Sequence, residues 1–301
     1  MASIAAPTDD HRANATPRRL RNLTGLFVLL PAPLAWLIIF YLIPLVVLLI
    51  HAFWSVDYLT VERSFTLENF RTLLTNDLYP RVLLRTVTIA ALVTIADLIL
   101  AFPVAYFLAK RVRKHRELLL LLVVFPLWSS YLVRVFAWKT ILGTNGILNS
   151  FLINVGLIDQ PVTAFLYSKT AMFLTFCQVW LPFMILPLFT VLDRMPESMI
   201  EAASDLGSGW WPTLRRIVFP LALPGILAGS LSVFSLTLGD FITPTLLGGP
   251  GDQMIGRLVA DNFGMSNNWP LGATLIIPIL LLISVFIGVA NRVGALGRTG
   301  S

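Results

Sequence analysis

The sequence is short of charge. Only 13% of its 301 residues are Asp, Glu, Lys or Arg, against roughly a quarter in soluble domains. That deficit excludes a disordered chain, a coiled coil and an ordinary soluble enzyme. Four of the residues are lysines and none of the four follows a glycine, so the GxxxxGK[ST] phosphate loop is absent. His11, His51 and His115 are scattered and make no metal-ligand cluster. Neither GxSxG nor HExxH occurs. Cys177 is the single cysteine, so no intrachain disulfide forms, and its apolar neighbours mark it as a small buried hydrophobe. With no nucleophile beside a base, the chain is expected to bind and move something and not to be an enzyme. Energy for uphill movement would come from an ion gradient or from another subunit.

Apolar sequence is what the chain has in plenty. Hydrophobic residues make up 56% and mean hydropathy is +0.80. Nineteen prolines and nineteen glycines fit a polytopic membrane protein, where packed spans tolerate both. Crossing about 30 Å of hydrocarbon takes about 20 apolar residues. Six runs qualify, giving an all-α protein: Leu26 to Ile50, Thr86 to Ala109, Leu118 to Val133, Thr170 to Leu192, Ile217 to Leu238, and Pro270 to Ala290. The third is short unless Arg134 snorkels and the helix continues through Trp138. The first is too long for a signal-peptide core, so it reads as a retained span. Residues 1–22 read as a disordered tail, 23–295 as the membrane domain and 296–301 as a short tail.

Basic residues set the orientation. Segments 1–22, 110–117, 193–216 and 291–301 hold 14, and the intervening segments on the other side hold 8. Both termini are therefore expected in the cytoplasm. The run Lys110 to Arg116 is the strongest single signal. As a short connector between spans, it reads as orientation and not as a nucleic-acid patch.

Between the fourth and fifth spans lies Asp193-Arg194-Met195-Pro196-Glu197-Ser198-Met199-Ile200-Glu201-Ala202-Ala203-Ser204-Asp205-Leu206-Gly207. Pro196 can open a helix, Glu197 complements its dipole and Gly207 ends it, giving about ten residues and roughly 15 Å. Glu197, Glu201 and Asp205 recur at i+4 as an acidic stripe, and Ile200, Ala203 and Gly207 line a face of little bulk. An acidic stripe fits poorly with lying on a membrane surface, whereas a small-residue knob with an acidic edge fits a docking socket on a soluble partner.

This stretch resembles the EAA loop of the permease subunits of ATP-binding-cassette importers. That pattern is E-A-A, three residues, G, nine residues, then I-x-L-P. Glu201, Ala202, Ala203, Gly207, Ile217 and Pro220 fall in place, with Phe219 for the usual leucine. The resemblance spans roughly residues 20–295 and implies a type I importer permease with six spans in a bacterial inner membrane. It implies that Glu201, Ala202, Ala203, Asp205 and Gly207 couple the chain to an ATPase pair. ATP and Mg would bind there, with no cofactor on this chain. A second permease would complete the pathway, and a periplasmic or lipid-anchored solute-binding protein would deliver substrate, all within membrane lipid. Two further stretches, Ser129 to Asn149 and Leu238 to Pro250, resemble the spermidine/putrescine-type permeases, specifically the first of their two permease subunits. Relatives for ferric ion, phosphonates and opines share these stretches, and a gradient-driven secondary transporter is the rival class.

Several residues are candidates for the pathway. Asp97 lies midway along the second span, where a carboxylate costs on the order of 2.5–3.5 kcal/mol. It reads as a cation contact or as a polar group bonded to a neighbouring helix. Pro103 marks an expected kink. Asp240 and Phe241 end the fifth span and could supply charge pairing and cation–π contact to an ammonium, or the aspartate could stand in water. Trp128, Tyr131, Arg134 and Trp138 are spaced 3, 3 and 4 and should share one helix face, as a gate lining or as an interface belt with a snorkelling arginine. Gly248, Gly249 and Gly251 around Pro250 make an irregular outer loop that could meet a docked protein or fold back.

Overall fold

A computed structural model describes residues 30–57 and 60–299. The expected tail 1–22 and the first residues of the first run lie outside them. Residues 30–51 and residues 52–299 belong to two separate compact units.

The first unit's described part is α1, Pro31–His51, with Pro31 at its first position and a π-helical turn over Ile38–Leu42. Its sequence is apolar on every side. That is the pattern of a helix meant to be surrounded by lipid or protein all round.

The second unit opens with a small antiparallel hairpin, β1 (Ser55–Asp57) and β2 (Thr60–Glu62), with Val56 opposite Val61. The hairpin is followed by α2 (Glu68–Thr75). Asn69 holds the chain entry by donating to the carbonyls of Ala52 and Trp54 at 3.1 and 2.7 Å. Next come α3 (Leu78–Lys110) and α4 (Arg116–Val124), the latter extended by a 3-10 turn, Phe125–Trp128. Then follow α5 (Tyr131–Leu142), α6 (Ile147–Asn154), α7 (Lys169–Arg194) and α8 (Glu197–Asp205). The chain ends with α9 (Trp210–Gly239), α10 (Ile242–Leu247), α11 (Ile255–Phe263) and α12 (Trp269–Thr299).

Among the described residues five helices are long and apolar enough to cross a membrane, six if α4 and the α5–α6 segment count as one bent span. The third span is therefore not the continuous helix the sequence predicts. Its two parts meet at 87°. The cause is local. Pro126 carries no N–H, the Ser129 hydroxyl donates to the Pro126 carbonyl at 2.7 Å, and Ser129 and Ser130 are extended. The second span begins eight residues earlier than its apolar run, because Arg81 and Arg85 are carried on the first turns of α3. That helix passes through Pro103 without a break. The helix of the sixth span, α12, continues through residues 296–299, so the short tail predicted there is helical to Thr299.

The core lies where α3, α7 and α9 pack on one another, around Val93, Ala101, Phe176, Met184, Leu188 and Val233. A second cluster joins α3 and α9 to α11 and α12 through Val82, Ala90, Leu238, Ile255 and Leu275. The α7–α9 approach depends on Gly225: a methyl added there would stand 2.8 Å from the Pro187 carbonyl oxygen and 3.1 Å from Leu188 Cα. Gly225→Ala is expected to push the two helices apart and destabilise the bundle by about 2 kcal/mol, read as a lower thermal midpoint in detergent.

Candidate functional site

Two sites stand out, one at the end of the bundle formed by the connectors 110–117 and 193–209, the other where α5 meets α7 and α10.

At the connector end, α8 is a nine-residue helix with Glu197 in its first turn. It ends in a Schellman motif. The Ser208 N–H donates to the Ala203 carbonyl and the Gly207 N–H to the Ser204 carbonyl, both at 2.9 Å, with Gly207 at φ +75°. Glu201, Ala202 and Asp205 are exposed, whereas Ala203 is buried and Ile200 packs against the core. The small-residue face predicted as a docking surface is thus divided: Ile200 and Ala203 seat α8 on its own bundle, and Gly207 alone of the three lies outside. The residue that projects furthest is one the sequence reading passed over, Leu206, at 88% exposure. An apolar side chain placed between Asp205 and the αL glycine was the signal for it.

The basic connector does more than mark a side. Arg113 pairs with Glu197 at 3.3 Å, Arg116 pairs with Asp193, and Lys110 donates to the Met195 carbonyl at 2.5 Å. Arg116 also lies over the Phe189 ring, 5.0 Å from its centre. These contacts join the end of α3, the start of α4 and the connector between them to the end of α7 and the start of α8. Downstream, Trp210 meets Tyr106 edge-on at 5.2 Å, and Phe219 stacks on Phe102 at 5.1 Å. Phe219, the departure from the EAA pattern, therefore has a stacking partner. Ile217 lies in a π-helical turn, Leu214–Val218, which leads into Pro220.

At the second site, the structure brings Tyr131 and Asp240 together from 109 residues apart: the Tyr131 hydroxyl donates to the Asp240 carboxylate. That hydroxyl also bonds Thr243 Oγ1 at 2.6 Å, and the Thr243 N–H donates to Asp240 Oδ1 at 2.9 Å. Asp240 is only 6% exposed, so it is neither in water nor free. It ties the start of α10 to the start of α5. Tyr131 stacks on Trp180 at 5.1 Å, Arg134 donates to the Val179 carbonyl at 3.4 Å, and Trp138 donates to Gln178 at 3.1 Å. One face of α5 thus follows three consecutive residues of α7. Arg134 turns toward α7 and does not snorkel outward. Trp128 does not share this face, since it precedes the 87° break and is 72% exposed. Phe241 is 48% exposed and forms no aromatic wall with Asp240. Trp180, Gln178 and Thr243 belong to the site but look like ordinary span residues in the sequence.

Asp97 lies apart, in the α3–α7 core. It is fully buried and neither carboxylate oxygen has a hydrogen-bond partner. Cys177 is its polar neighbour on α7, without hydrogen-bond geometry. The glycine loop folds back on the bundle: Arg85 donates to the Gly251 carbonyl, Asp252 pairs with Lys169 at 3.8 Å, and Thr86 Oγ1 accepts the Ile255 N–H at 2.9 Å. No group of three or more His, Cys, Asp or Glu side chains converges among the described residues.

Comparison with known proteins agrees with this architecture. Residues 90–295 match the family described as binding-protein-dependent transport system inner membrane component. The inner membrane ABC transporter permease protein YdcU of Escherichia coli K12 is 41% identical over 90% of this chain and 90% of its own length. The spermidine/putrescine transport system permease protein PotB of Haemophilus influenzae is 35% identical over 87% of this chain and 91% of its own. Two crystal structures of a bacterial alginate ABC transporter superpose with TM-scores of 0.71 and 0.70 at 17% identity. They cover 94% and 91% of this chain and 98% and 95% of theirs. The chain belongs to the inner-membrane permease family of binding-protein-dependent ABC importers and is a multi-pass permease subunit of such a transporter.

Proposed function

We propose that the chain encloses a polyamine pathway together with a second permease and is driven by two ATPase subunits that grip α8. In this reading the end bearing α8 and both termini face the cytosol. ATP and Mg are held by the ATPases, and a periplasmic or lipid-anchored solute-binding protein delivers substrate at the opposite face. The observation that carries the reading is α8 itself: a short helix seated on its bundle by Ile200 and Ala203, presenting Glu201, Asp205 and the bare Leu206 outward. An apolar knob with an acidic rim suits a cleft with an apolar floor and basic edges. The excess of basic residues at this end supports the cytosolic placement.

Mechanically, closing of the ATPase pair displaces α8. The bonds from Arg113, Arg116 and Lys110 then carry that displacement to α3 and α4, and access alternates between the two faces. Support for an amine substrate comes from the PotB relative, named for spermidine and putrescine, and from the grouping of Tyr131, Trp180 and Asp240. Ammonium groups take carboxylates and aromatic faces. In the present conformation Tyr131 occupies Asp240, so opening that bond is the step that would free the carboxylate.

The test has two parts. A photocrosslinker replacing Leu206 is expected to capture an ATPase subunit in membranes, and labelled spermidine is expected to enter vesicles with ATP present and an uncoupler added. Crosslinks that reach no ATPase would refute the docking. Uptake that collapses with the uncoupler but survives ATP depletion would refute the energy source.

A further inference from the structure

Beside α8 is a cleft of about 720 Å³ whose rim is formed by Arg113, Lys114, His115 and Arg116 and whose floor includes Leu118 and Phe189. Two of the rim cations are engaged, Arg113 with Glu197 and Arg116 with Asp193. Lys114 and His115 are exposed and make no ion pair among the described residues. Glu117 is the one acidic side chain on the cleft. With Lys110 and Arg111 just before the rim in the sequence, the connector carries five cations against Glu117, Glu197 and Asp193, and so keeps an excess of positive charge among the described residues.

The floor points in a second direction. Leu118 is exposed and stands one turn before Leu122, which lines an apolar groove of about 520 Å³ between α3 and α4 together with Val104, Phe107 and Val123. A basic rim with an apolar groove one helical turn further along the same span is complementary to an amphiphile: a phosphate at the rim and a hydrocarbon chain in the groove. Basic clusters at the ends of spans attract anionic lipid headgroups, each Lys or Arg near the surface contributing about 1 kcal/mol.

We infer that this cleft is a binding site for an anionic phospholipid, with its phosphate among Arg113, Lys114 and Arg116 and an acyl chain along Leu118 and Leu122. With this end in the cytosol, as proposed above, the lipid belongs to the inner leaflet; the site itself does not depend on that placement or on ATPase docking. Because Arg113 also holds the first residue of α8 and Arg116 the end of α7 just before it, a bound phosphate would compete with Glu197 and Asp193 for them and so alter how firmly the start of α8 is seated.

The test is lipid retention by native mass spectrometry on the full chain, purified with whichever subunits accompany it and titrated with dioleoylphosphatidylglycerol, dioleoylphosphatidylcholine and inorganic phosphate. Phosphatidylglycerol should be retained in preference to phosphatidylcholine. Lys114→Gln should weaken its retention about fivefold and Lys114→Glu about 25-fold. Arg215→Gln, at the same end but outside the cleft, should leave it unchanged. Lys114 is exposed and unpaired, so neither variant threatens folding, and an unchanged thermal midpoint checks this. Equal retention of phosphatidylcholine, or equal weakening by Arg215→Gln, would overturn the site in favour of diffuse charge. Displacement by inorganic phosphate at the same concentration as the lipid would show that a free anion is what the rim reads. Crosslinks from position 114 to a protein subunit in place of lipid would show that the cleft is covered by a partner.

Discussion

Gly207→Val is expected to cut ATP-dependent uptake into membrane vesicles by about tenfold while leaving the amount of chain in the membrane unchanged. The reason is conformational. Gly207 sits at φ +75°, and nothing lies within 4 Å of where its Cβ would be. The substitution therefore meets no clash, only the cost of placing a β-branched residue in the left-handed region. That cost is about 1–2 kcal/mol for ordinary L-residues, and β-branched residues are worse suited still. The chain escapes it by giving up the Gly207 and Ser208 bonds that close α8. Asp205 and Leu206, immediately upstream, then lose their fixed position, while Ile200 and Ala203 still seat the first turns. Gly207→Asn is the control, because asparagine tolerates this backbone region; uptake should stay within about twofold of the parent. Uptake measured beside an immunoblot of the membrane fraction separates lost coupling from lost protein. If valine and asparagine behave alike, the shape of the α8 terminus does not matter to transport.

The α8 terminus was also among the most legible parts of the sequence. A proline, an acidic first turn and a glycine ten or so residues later describe a helix from local chemistry alone, and α8 runs Glu197–Asp205. The long apolar runs were legible for the same reason, since crossing hydrocarbon demands them. What local pattern could not give was which face turns inward. Ala203 and Glu201 are two residues apart, and only the packing of Ile200 decides that the alanine is covered and the glutamate bare. The break at Ser129–Ser130 was hidden because Leu118 to Trp138 is apolar enough to read as one helix. The hydroxyl bond back to Pro126 is a local device that hydropathy does not register. The hairpin at Ser55–Glu62 escaped for lack of a strong alternating pattern. Tyr131 and Asp240 were each singled out, but their pairing is a tertiary fact across 109 residues, and it turns a supposedly free carboxylate into a tie between helices.

Asp97→Val is expected to stabilise the bundle and to impair transport. Asp97 is completely buried between α3 and α7, and neither carboxylate oxygen is hydrogen-bonded. A buried polar group without a partner costs about 1–3 kcal/mol in proteins, and an acid at the middle of a span is expensive to insert. Valine is close to aspartate in volume and belongs in this environment, where Val93 is already fully buried on the same helix. The thermal midpoint in detergent should therefore rise by the equivalent of about 2 kcal/mol. A group that weakens the resting fold this much is best accounted for by a use elsewhere in the cycle, where sliding of α3 against α7 brings the carboxyl a partner or opens it to the pathway. On that account ATP-dependent uptake falls by about tenfold even as stability rises, since roughly 1.4 kcal/mol of lost stabilisation in the second conformation is enough. Asp97→Asn separates the two uses: it keeps the shape and hydrogen-bonding capacity but not the charge, so it should retain uptake if the partner is a hydrogen bond and lose it if the partner is a cation. A valine variant that is more stable and transports normally would reduce Asp97 to a buried polar group with no part in the cycle, and the pathway would then have to be sought at the Tyr131–Asp240 tie alone.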